Sequence, residues 1–197
     1  MGRIKTDINS SRRDVITHKA AELFKEKGYK ATSMRELADK VGVEAASLYN
    51  HIRSKSELLH LICFNVANHY TEMMDEVEAE KTNSLQKTEK LLRFLIQGMV
   101  HNFEEVYVCD REWKFLTEPY LSNFQNQRRI YRKRFAAILI EGISKKEIKK
   151  IDPTTAVLIM LHAISGIESW HRSKQKINGD DLEENMITIL VDGLRNK

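Results

Sequence analysis

Apolar positions recur along this chain every three or four residues, the spacing that places side chains on one face of an α-helix. In the first such segment Ile16, Ala20 and Leu23 are apolar, and the positions between them are mostly polar. The sequence shows no convincing alternation of apolar and polar residues, which would indicate a β-strand. The pattern therefore predicts an all-α protein of about nine helices.

Caps and glycines divide the first eighty positions into four of these helices. Three serines each stand three residues before an acidic residue, which is the spacing of a capping box at a helix start. The pairs are Ser11 with Asp14, Ser33 with Glu36, and Ser54 with Glu57. Gly28 is predicted to end the first helix and Gly42 to form the turn after the second, because glycine readily adopts the left-handed backbone that closes helices. The third helix is then 45–51, and the fourth runs from 55 to about 80.

Five further helices are predicted in the remaining chain. They cover residues 85–108, 113–116, 124–143, 153–172 and 182–194. Asp152 followed by Pro153 is a typical helix start, because aspartate caps a helix and proline is favoured at its first position. The helix that follows is apolar on more than one face, so it needs a second surface to pack against.

The second and third helices, joined by the Gly42 turn within residues 32–59, form the pattern of a helix-turn-helix unit. In such a unit one short recognition helix is presented to the major groove of DNA. The pattern therefore indicates a small DNA-binding element, which the rest of the chain positions, pairs and regulates.

The positive charge of the chain is concentrated at this end. The formal net charge is +4, and residues 1–60 contain twelve Lys and Arg against eight Asp and Glu. The remaining residues carry equal numbers of positive and negative charges, so the whole excess lies on the helix-turn-helix side. This distribution favours a polyanionic partner for the N-terminal end, although a charge of this size alone is also compatible with an ordinary soluble surface.

Small and hydrogen-bonding side chains stand where a recognition helix would meet DNA. Ala45 and Ala46 carry methyl groups suited to a thymine methyl, and Ser47 is suited to a phosphate or a base edge. Tyr49 is long enough to cover a thymine or reach a phosphate. The predicted phosphate partners are Asn50, His51 and Lys55, together with Thr32, Ser33 and Arg35 at the start of the preceding helix. By pattern alone these residues also fit an ordinary amphipathic helix pair.

This stretch resembles the DNA-binding domain of the tetracycline-repressor-like (TetR) family of transcription regulators over roughly residues 12–60. The matching residues are Ala21, Leu23, Phe24, Gly28, Thr32, Ser33, Leu37, Ala38, Val41, Gly42, Val43, Ser47, Leu48, Tyr49, His51, Ser54, Lys55, Glu57 and Leu58. The resemblance implies DNA contacts at Thr32, Arg35, Ala45, Ala46, Ser47, Tyr49, Asn50 and Lys55. Two positions depart from the family pattern: Glu44 replaces a small polar residue at the start of the recognition helix, and Ile52 replaces a Phe.

The resemblance also implies how the rest of the chain is organised. TetR-like proteins are effector-responsive dimers, which implies a DNA-binding domain over residues 1–54 and an effector-binding and dimerisation domain over residues 55–197. The implied dimer helices are 153–172 and 181–194. A two-fold dimer presents two recognition helices about one DNA turn, or a multiple of it, apart. The expected function is therefore a repressor that binds a palindromic double-stranded DNA operator as a homodimer.

The candidate effector site is built from large apolar side chains of the middle helices. These are Phe94, Met99, Phe103, Trp113 and Tyr120. Aromatic residues at helical spacing are also compatible with a simple core. Segment 166–172 is similar to the penultimate helix of acyl-CoA-responsive TetR members, which implies that Trp170 and Arg172 serve the ligand. The basic face at 128–134 either meets the phosphates of such a ligand or is a solvated helix surface. The expected effector is a small apolar or acyl-CoA-type molecule.

Two Glu-x-x-His pairs, Glu57 with His60 and Glu168 with His171, suggest a rival function. Di-iron carboxylate enzymes use two such pairs in one helical core. Chance alone produces such pairs in a chain this rich in glutamate, and Glu57 already has a capping role. Another alternative is a helical adaptor whose helix-turn-helix contacts protein. We predict a regulator that is not an enzyme and needs neither metal nor cofactor.

The last expectations concern the compartment. Cys63 and Cys109 lie 46 positions apart in apolar surroundings, which is typical of buried thiols in a reducing cytoplasm. The sequence contains no run of eighteen apolar residues, and its first residues lack the apolar core of a signal peptide. We therefore expect a cytoplasmic protein without a membrane partner.

Overall fold

The computed structural model describes residues 12–173 and 177–195, and in these residues the regular elements are α-helices, one 3₁₀ turn (Trp113–Phe115) and an isolated bridge. The helices are α1 (Arg12–Lys27), α2 (Met34–Val41), α3 (Ala45–Tyr49), α4 (Lys55–Ala79), α5 (Ser84–His101), α6 (Phe103–Arg111), α7 (Tyr120–Ser144), α8 (Pro153–Ser165), α9 (Ile167–Arg172) and α10 (Gly179–Asp192). The all-α prediction is confirmed. None of these helices is long and apolar enough to cross a membrane.

The caps that the sequence predicts occur at most of their positions. Gly28 and Gly42 adopt left-handed backbone with φ of +84° and +76°, where a residue with a Cβ would be strained. Ser33 and Glu36 form a complete capping box at α2. At α4 the Ser54 hydroxyl accepts from the Glu57 amide, but the Glu57 carboxylate accepts from the Arg53 amide instead of closing the box. The predicted box of Ser11 lies outside the described residues.

Two predicted helices are each divided into two. The helix expected over 85–108 breaks at Asn102, whose backbone leaves the helical region at φ −119° and ψ 43°. The helix expected over 153–172 divides at Gly166, which joins α8 to α9. The pattern missed both breaks because the apolar spacing continues across them and because asparagine and glycine, though poor helix formers, also occur inside helices.

The apolar side chains form one connected core, and α4 lies near its centre. This helix packs against α1, α5, α6 and α7, while α6 packs against both α1 and α4. Further out, α5 packs against α10 and α7 against α8. Cys63 and Cys109 are free thiols inside this core, as the sequence predicted. Because burial of apolar surface is the main favourable term in folding, α4 and α6 connect the N-terminal helices to the rest of the molecule.

Candidate nucleic-acid interface and effector cavity

The turn between α2 and α3 is fixed by backbone hydrogen bonds and by a buried apolar contact. The Gly42 amide donates to the Asp39 carbonyl at 3.2 Å and the Val43 amide donates to the Ala38 carbonyl at 3.0 Å. Leu48, on the inner side of α3, has no exposed surface, and neither has Ile52 just beyond it. The inner face therefore holds this five-residue helix against the core, which fixes the direction of its outer face.

The outer face of α3 consists of small and polar side chains. Ala45, Ala46 and Tyr49 are exposed, and the Tyr49 side chain is the most prominent, with 52% of its surface accessible. Asn50 and His51 continue the exposed surface beyond the helix. Ser47 is the one half-buried member of the predicted α3 set. The structure thus brings the predicted contact residues of this helix together on one accessible surface.

Glu44 occupies the N-cap position of α3, and its side chain makes no capping hydrogen bond. The residue is exposed beside Ala45. If α3 is the recognition helix that the sequence predicts, a carboxylate at this position lies next to the surface that would meet DNA. It therefore repels phosphate unless it accepts a hydrogen bond from a base.

The residues predicted at the start of α2 are placed differently from one another. Arg35 is exposed on the first turn, as a phosphate contact requires. Ser33 is exposed, but its hydroxyl is engaged with Glu36 in the capping box. Thr32 is buried, and its hydroxyl donates to the Gly28 carbonyl at 3.0 Å. The expectation of a phosphate contact through the Thr32 side chain is therefore corrected, because its donor already closes the end of α1.

Lys55 also points into the protein. Its ammonium donates to the carbonyls of Tyr29, Lys30 and Thr32, at 2.8, 3.2 and 2.7 Å. The same nitrogen lies 4.6 Å from the centre of the Tyr29 ring. These contacts use the three donors of the ammonium, so Lys55 is a brace that ties the start of α4 to the loop between α1 and α2.

The four residues of the rival metal site are engaged elsewhere. Glu57 pairs with Arg13, and Glu168 pairs with Arg111 and Arg172. His60 packs at a tilt against Tyr120 and His171 stacks on Phe103, with ring centres 3.9 and 3.8 Å apart. Within the described residues, no group of three or more His, Cys, Asp or Glu is arranged to hold a metal ion. In the described residues the two Glu-x-x-His pairs therefore do not form the shared carboxylate cluster of a di-iron site.

A cavity of about 130 Å³ lies among α4, α5, α6, α7 and α8. Its apolar wall includes Val66, Ala67, Tyr70, Leu95, Met99, Val106, Phe124, Leu161 and Ile164. A mostly apolar wall with a few polar groups is the usual composition of a small-molecule site. The cavity is therefore the candidate effector site.

Polar side chains from three helices meet at this cavity. Asp110 of α6 accepts from Arg128 of α7 at 3.4 Å and from the Ser165 hydroxyl of α8 at 3.0 Å. The Arg128 guanidinium also lies over the Trp113 ring, 5.3 Å from its centre. Tyr131 lines the cavity too, and its buried hydroxyl has no hydrogen-bond partner among the described residues. The polar edge of the cavity thus contains an occupied ion pair, and one of its lining residues carries a buried, unused donor.

Of the predicted effector residues, Met99 lines this cavity and the other six do not. Phe94 packs against Tyr70, and Trp113 lies behind Arg128 and Phe124. The other four contact residues that do not line the cavity. Tyr120 packs against His60, and Phe103 stacks on His171. Trp170 donates to the Ile177 carbonyl, and Arg172 pairs with Glu168. The structure thus places these six side chains outside the lining of this cavity, and their role in effector binding stays a prediction.

The basic face of α7 indicated the lining of the cavity better than the predicted aromatic residues did. Arg128 and Arg132 both line the cavity, and they are four residues apart on one helix face. Arg134 instead pairs with Asp75 and Glu78 of α4. Two arginines of this face therefore line the cavity and a third makes a surface pair, while a contact with ligand phosphates stays a prediction. Tyr131 and Asp110 were missed because nothing in their spacing distinguishes them from core or surface residues.

Helix α6 connects the cavity to the DNA-binding helices. Cys109 and Asp110 face the cavity, while two acidic residues on its first turn reach α1. Glu104 accepts from Lys25 at 2.6 Å and Glu105 pairs with His18 at 2.5 Å. Burial raises the pKa of Glu104, but the hydrogen bond and charge of Lys25 outweigh it, so the pKa lies below its ordinary value. The carboxylate therefore stays charged at neutral pH, and α6 contacts both sites.

Exposed apolar side chains remain on two C-terminal helices. Leu158 and Ile159 on α8 and Ile189 on α10 are accessible, with 59% and 72% of the two isoleucines exposed. Helix α10 is held against α5 by Arg93, whose guanidinium contacts Glu183 and Glu184. Large apolar residues of this kind, outside any packed interface within the chain, mark a surface suited to protein contact.

An outward-facing recognition helix on an all-α body with an internal cavity defines the class of helix-turn-helix transcription regulators. The family model described as "Bacterial regulatory proteins, tetR family" matches residues 16–62. The model described as "Tetracyclin repressor-like, C-terminal domain" matches residues 81–194. The chain belongs to the TetR family, which confirms the resemblance drawn from the sequence.

Named relatives and solved structures agree with this assignment. The chain is similar to the HTH-type transcriptional repressor KstR2 of Mycobacterium tuberculosis, with 21% identity over 98% of each chain. The solved structure of that ketosteroid regulator has a TM-score of 0.87 at 21% identity, covering 96% of this chain and 97% of the other. AibR in complex with isovaleryl coenzyme A and operator DNA has a TM-score of 0.80 at 22% identity, covering 92% and 98%. At this identity the two structures show a shared fold.

Proposed function

We propose that this protein is a ligand-responsive repressor that binds a palindromic operator as a homodimer and leaves it when an effector occupies the cavity. The observation that carries the proposal is the outer face of α3. Its small and polar side chains face solvent, while Leu48 on the opposite side is fully buried. A short helix that packs against the core on one side and is exposed on the other is suited to the major groove of DNA.

The side chains proposed to reach DNA are those that the structure leaves accessible. They are Arg35, Ala45, Ala46, Ser47, Tyr49, Asn50 and His51. Thr32, Ser33 and Lys55 act by positioning, because their polar groups already hold α1, α2 and α4 together. Loss of a positioning residue would shift the recognition helix without removing a DNA contact.

The effector is proposed to be a small apolar or acyl-CoA-type molecule. Arg132, which lines the cavity beside the ion pair of Arg128 and Asp110, provides positive charge for the acidic part of such a ligand. The solved AibR complex contains isovaleryl coenzyme A together with operator DNA, so a related fold holds both kinds of partner. An effector changes DNA affinity only if it binds the DNA-competent and DNA-free states unequally.

Helix α6 is the proposed route from the cavity to the DNA-binding helices. A ligand that contacts Asp110 or Arg128 alters the ion pair between α6 and α7. The opposite end of α6 pairs with Lys25 and His18 of α1, so a shift of α6 is passed to α1. Because α1 packs against α2, the recognition unit moves with it. The spacing of the two recognition helices in a dimer would then change.

The homodimer is proposed to form through α8 and α10. Their exposed apolar side chains supply a surface that needs a partner, and a two-fold axis would pair the same surface of each chain. Two helices from each chain would then form a four-helix interface.

Selection of DNA from a random duplex library by the full chain tests the proposal. We expect an enriched motif with two inverted half-sites whose centres lie about ten base pairs, or a multiple of that, apart. The affinity for this duplex should fall steeply as salt rises, because contacts to phosphate release counterions. A pool without inverted symmetry, or an affinity that ignores salt, would favour the adaptor alternative.

A further inference from the structure

The candidate effector cavity is small, at about 130 Å³. An apolar protein cavity of about 150 Å³ holds one benzene molecule. A cavity of about 130 Å³ therefore holds a group of about six non-hydrogen atoms. A steroid ring system or a long acyl chain is several times larger than this space.

Tyr131 is a lining residue of the cavity, and its hydroxyl is a buried hydrogen-bond donor that is unused in the described part of the chain. The residue is only 9% exposed, and its hydroxyl is buried without a partner among the described residues. Such a hydroxyl loses its bond to water without gaining another, which costs free energy in the ligand-free protein. A ligand oxygen that reaches this hydroxyl recovers that loss on binding. Burial raises the pKa of Tyr131, so the hydroxyl remains a donor at neutral pH.

The charges around the cavity leave one cation available. Asp110, Arg128 and Arg132 are the charged side chains that line it. Asp110 and Arg128 pair with each other, whereas no carboxylate of the described residues pairs with Arg132. Arg132 and Tyr131 come from the same helix, so a donor and a positive charge lie on the α7 side of the cavity.

We propose that the effector carries a compact acyl group of about six non-hydrogen atoms, whose carbonyl oxygen accepts from Tyr131 and faces Arg132. Isovalerate and its coenzyme A thioester share this chemistry. The inference deepens the proposed function and rests on it only in taking this cavity as the effector site. It distinguishes the chain from a regulator that responds to a steroid.

Calorimetric titration of the full chain with a graded set of probes tests the size limit. The probes are isovaleryl coenzyme A, isovalerate, dodecanoyl coenzyme A, testosterone, and coenzyme A alone. We expect an isovaleryl probe to bind at least about tenfold more tightly than dodecanoyl coenzyme A, and testosterone not to bind. The two isovaleryl probes show whether the acid or the thioester is the ligand. Failure of both to bind, or tighter binding of dodecanoyl coenzyme A or testosterone, overturns the inference.

Removal of a single hydroxyl tests the role of Tyr131. Tyr131→Phe should weaken binding of the isovaleryl probe about tenfold, because the carbonyl oxygen loses its donor. The melting temperature without ligand should not fall, since the variant removes a buried group that has no partner. Tyr107→Phe is the matched control, because Tyr107 lies against Phe103 outside the cavity. Equal affinity of Tyr131→Phe and the original chain overturns the inference.

The selected duplex, measured on the same samples, separates this inference from the proposed function. Tight DNA binding without binding of either isovaleryl probe overturns the ligand assignment and leaves the repressor intact. Binding of an isovaleryl probe without any change in DNA affinity supports the ligand assignment and overturns the ligand-responsive part of the proposed function.

Discussion

At the scale of single residues, the DNA-binding surface depends on which polar groups are already used. Lys55 and Thr32 have the chemistry of phosphate ligands, and sequence spacing gives no sign that neighbouring carbonyls occupy them. Tyr49 and Glu44 lie on the accessible side of the same unit. The residue type therefore predicts what a side chain is able to bind, and the tertiary structure decides whether it is available.

Glu44→Ala should change sequence preference more than affinity. A carboxylate at the start of α3 favours a cytosine amino group and repels phosphate, so its loss should relax the preference at one position of each half-site. Overall affinity for the selected duplex should stay equal or rise. Parallel selections with the two proteins measure this difference. Identical enriched motifs would mean that Glu44 does not face a base.

Glu36→Gln should remove a pH-dependent part of the stability of the N-terminal unit. The hydrogen bond from Lys27, followed by those from Ser33, lowers the pKa of Glu36 from 4.5 to about 2. A depressed pKa stabilises the folded state above the unfolded value of 4.5, and this stabilisation is lost as the pH falls from about 4.5 towards 2. The variant keeps a capping amide but not the charge. Urea unfolding should show a difference at pH 6 that disappears near pH 2, whereas a constant difference contradicts this.

At the scale of helices, local signals predict where most elements begin and end. Ser33, Gly42 and Asp152 act through their own backbone and side chains, so their roles appear in the sequence. The breaks at Asn102 and Gly166 could not be predicted, because the apolar spacing continues through them. The cavity was largely missed for a different reason, since it depends on how five helices meet. Apolar periodicity marks a buried face without saying whether the face meets a neighbour or an empty space.

Glu104→Gln should weaken the coupling between effector and DNA. The variant removes the charge that ties α6 to Lys25 of α1, so movement of α6 is passed on less completely. The ratio of operator affinities without and with isovaleryl coenzyme A should fall by about threefold or more, at unchanged affinity for the ligand. Glu89→Gln is the matched control. Glu89 pairs with Arg93 four residues further along the same helix, so this variant removes a glutamate charge without removing a contact between α6 and α1. An unchanged ratio in Glu104→Gln excludes this route.

At the scale of the whole molecule, the proposed binding to a palindromic operator requires two chains. A single copy leaves apolar residues of α8 and α10 exposed and presents one recognition helix. Pairing the copies through these helices, as proposed, would bury the apolar surface and place two recognition helices on one duplex. Dimerisation and DNA affinity are then linked, since one chain alone reaches only one half-site.

Ile159→Lys should convert the dimer to a monomer. A lysine at this position of α8 would carry a buried charge into the interface, which costs several kcal/mol when the charge is unpaired. Native mass spectrometry should show mainly single chains for the variant and dimers for the original protein. Ile130→Lys on α7 is the control, because it changes an exposed isoleucine outside α8 and α10. A dimeric Ile159→Lys would place the interface elsewhere.

The most direct test of the central claim is an equilibrium titration of the selected palindromic duplex with the original chain and with Tyr49→Ala. We expect two chains to bind each duplex and Tyr49→Ala to weaken binding at least tenfold, or about 1.4 kcal/mol, at an unchanged melting temperature. Tyr49 is half exposed at the surface of α3, so its loss removes a DNA contact and not a core contact. Equal affinity of the two proteins would contradict the claim that α3 is the recognition helix.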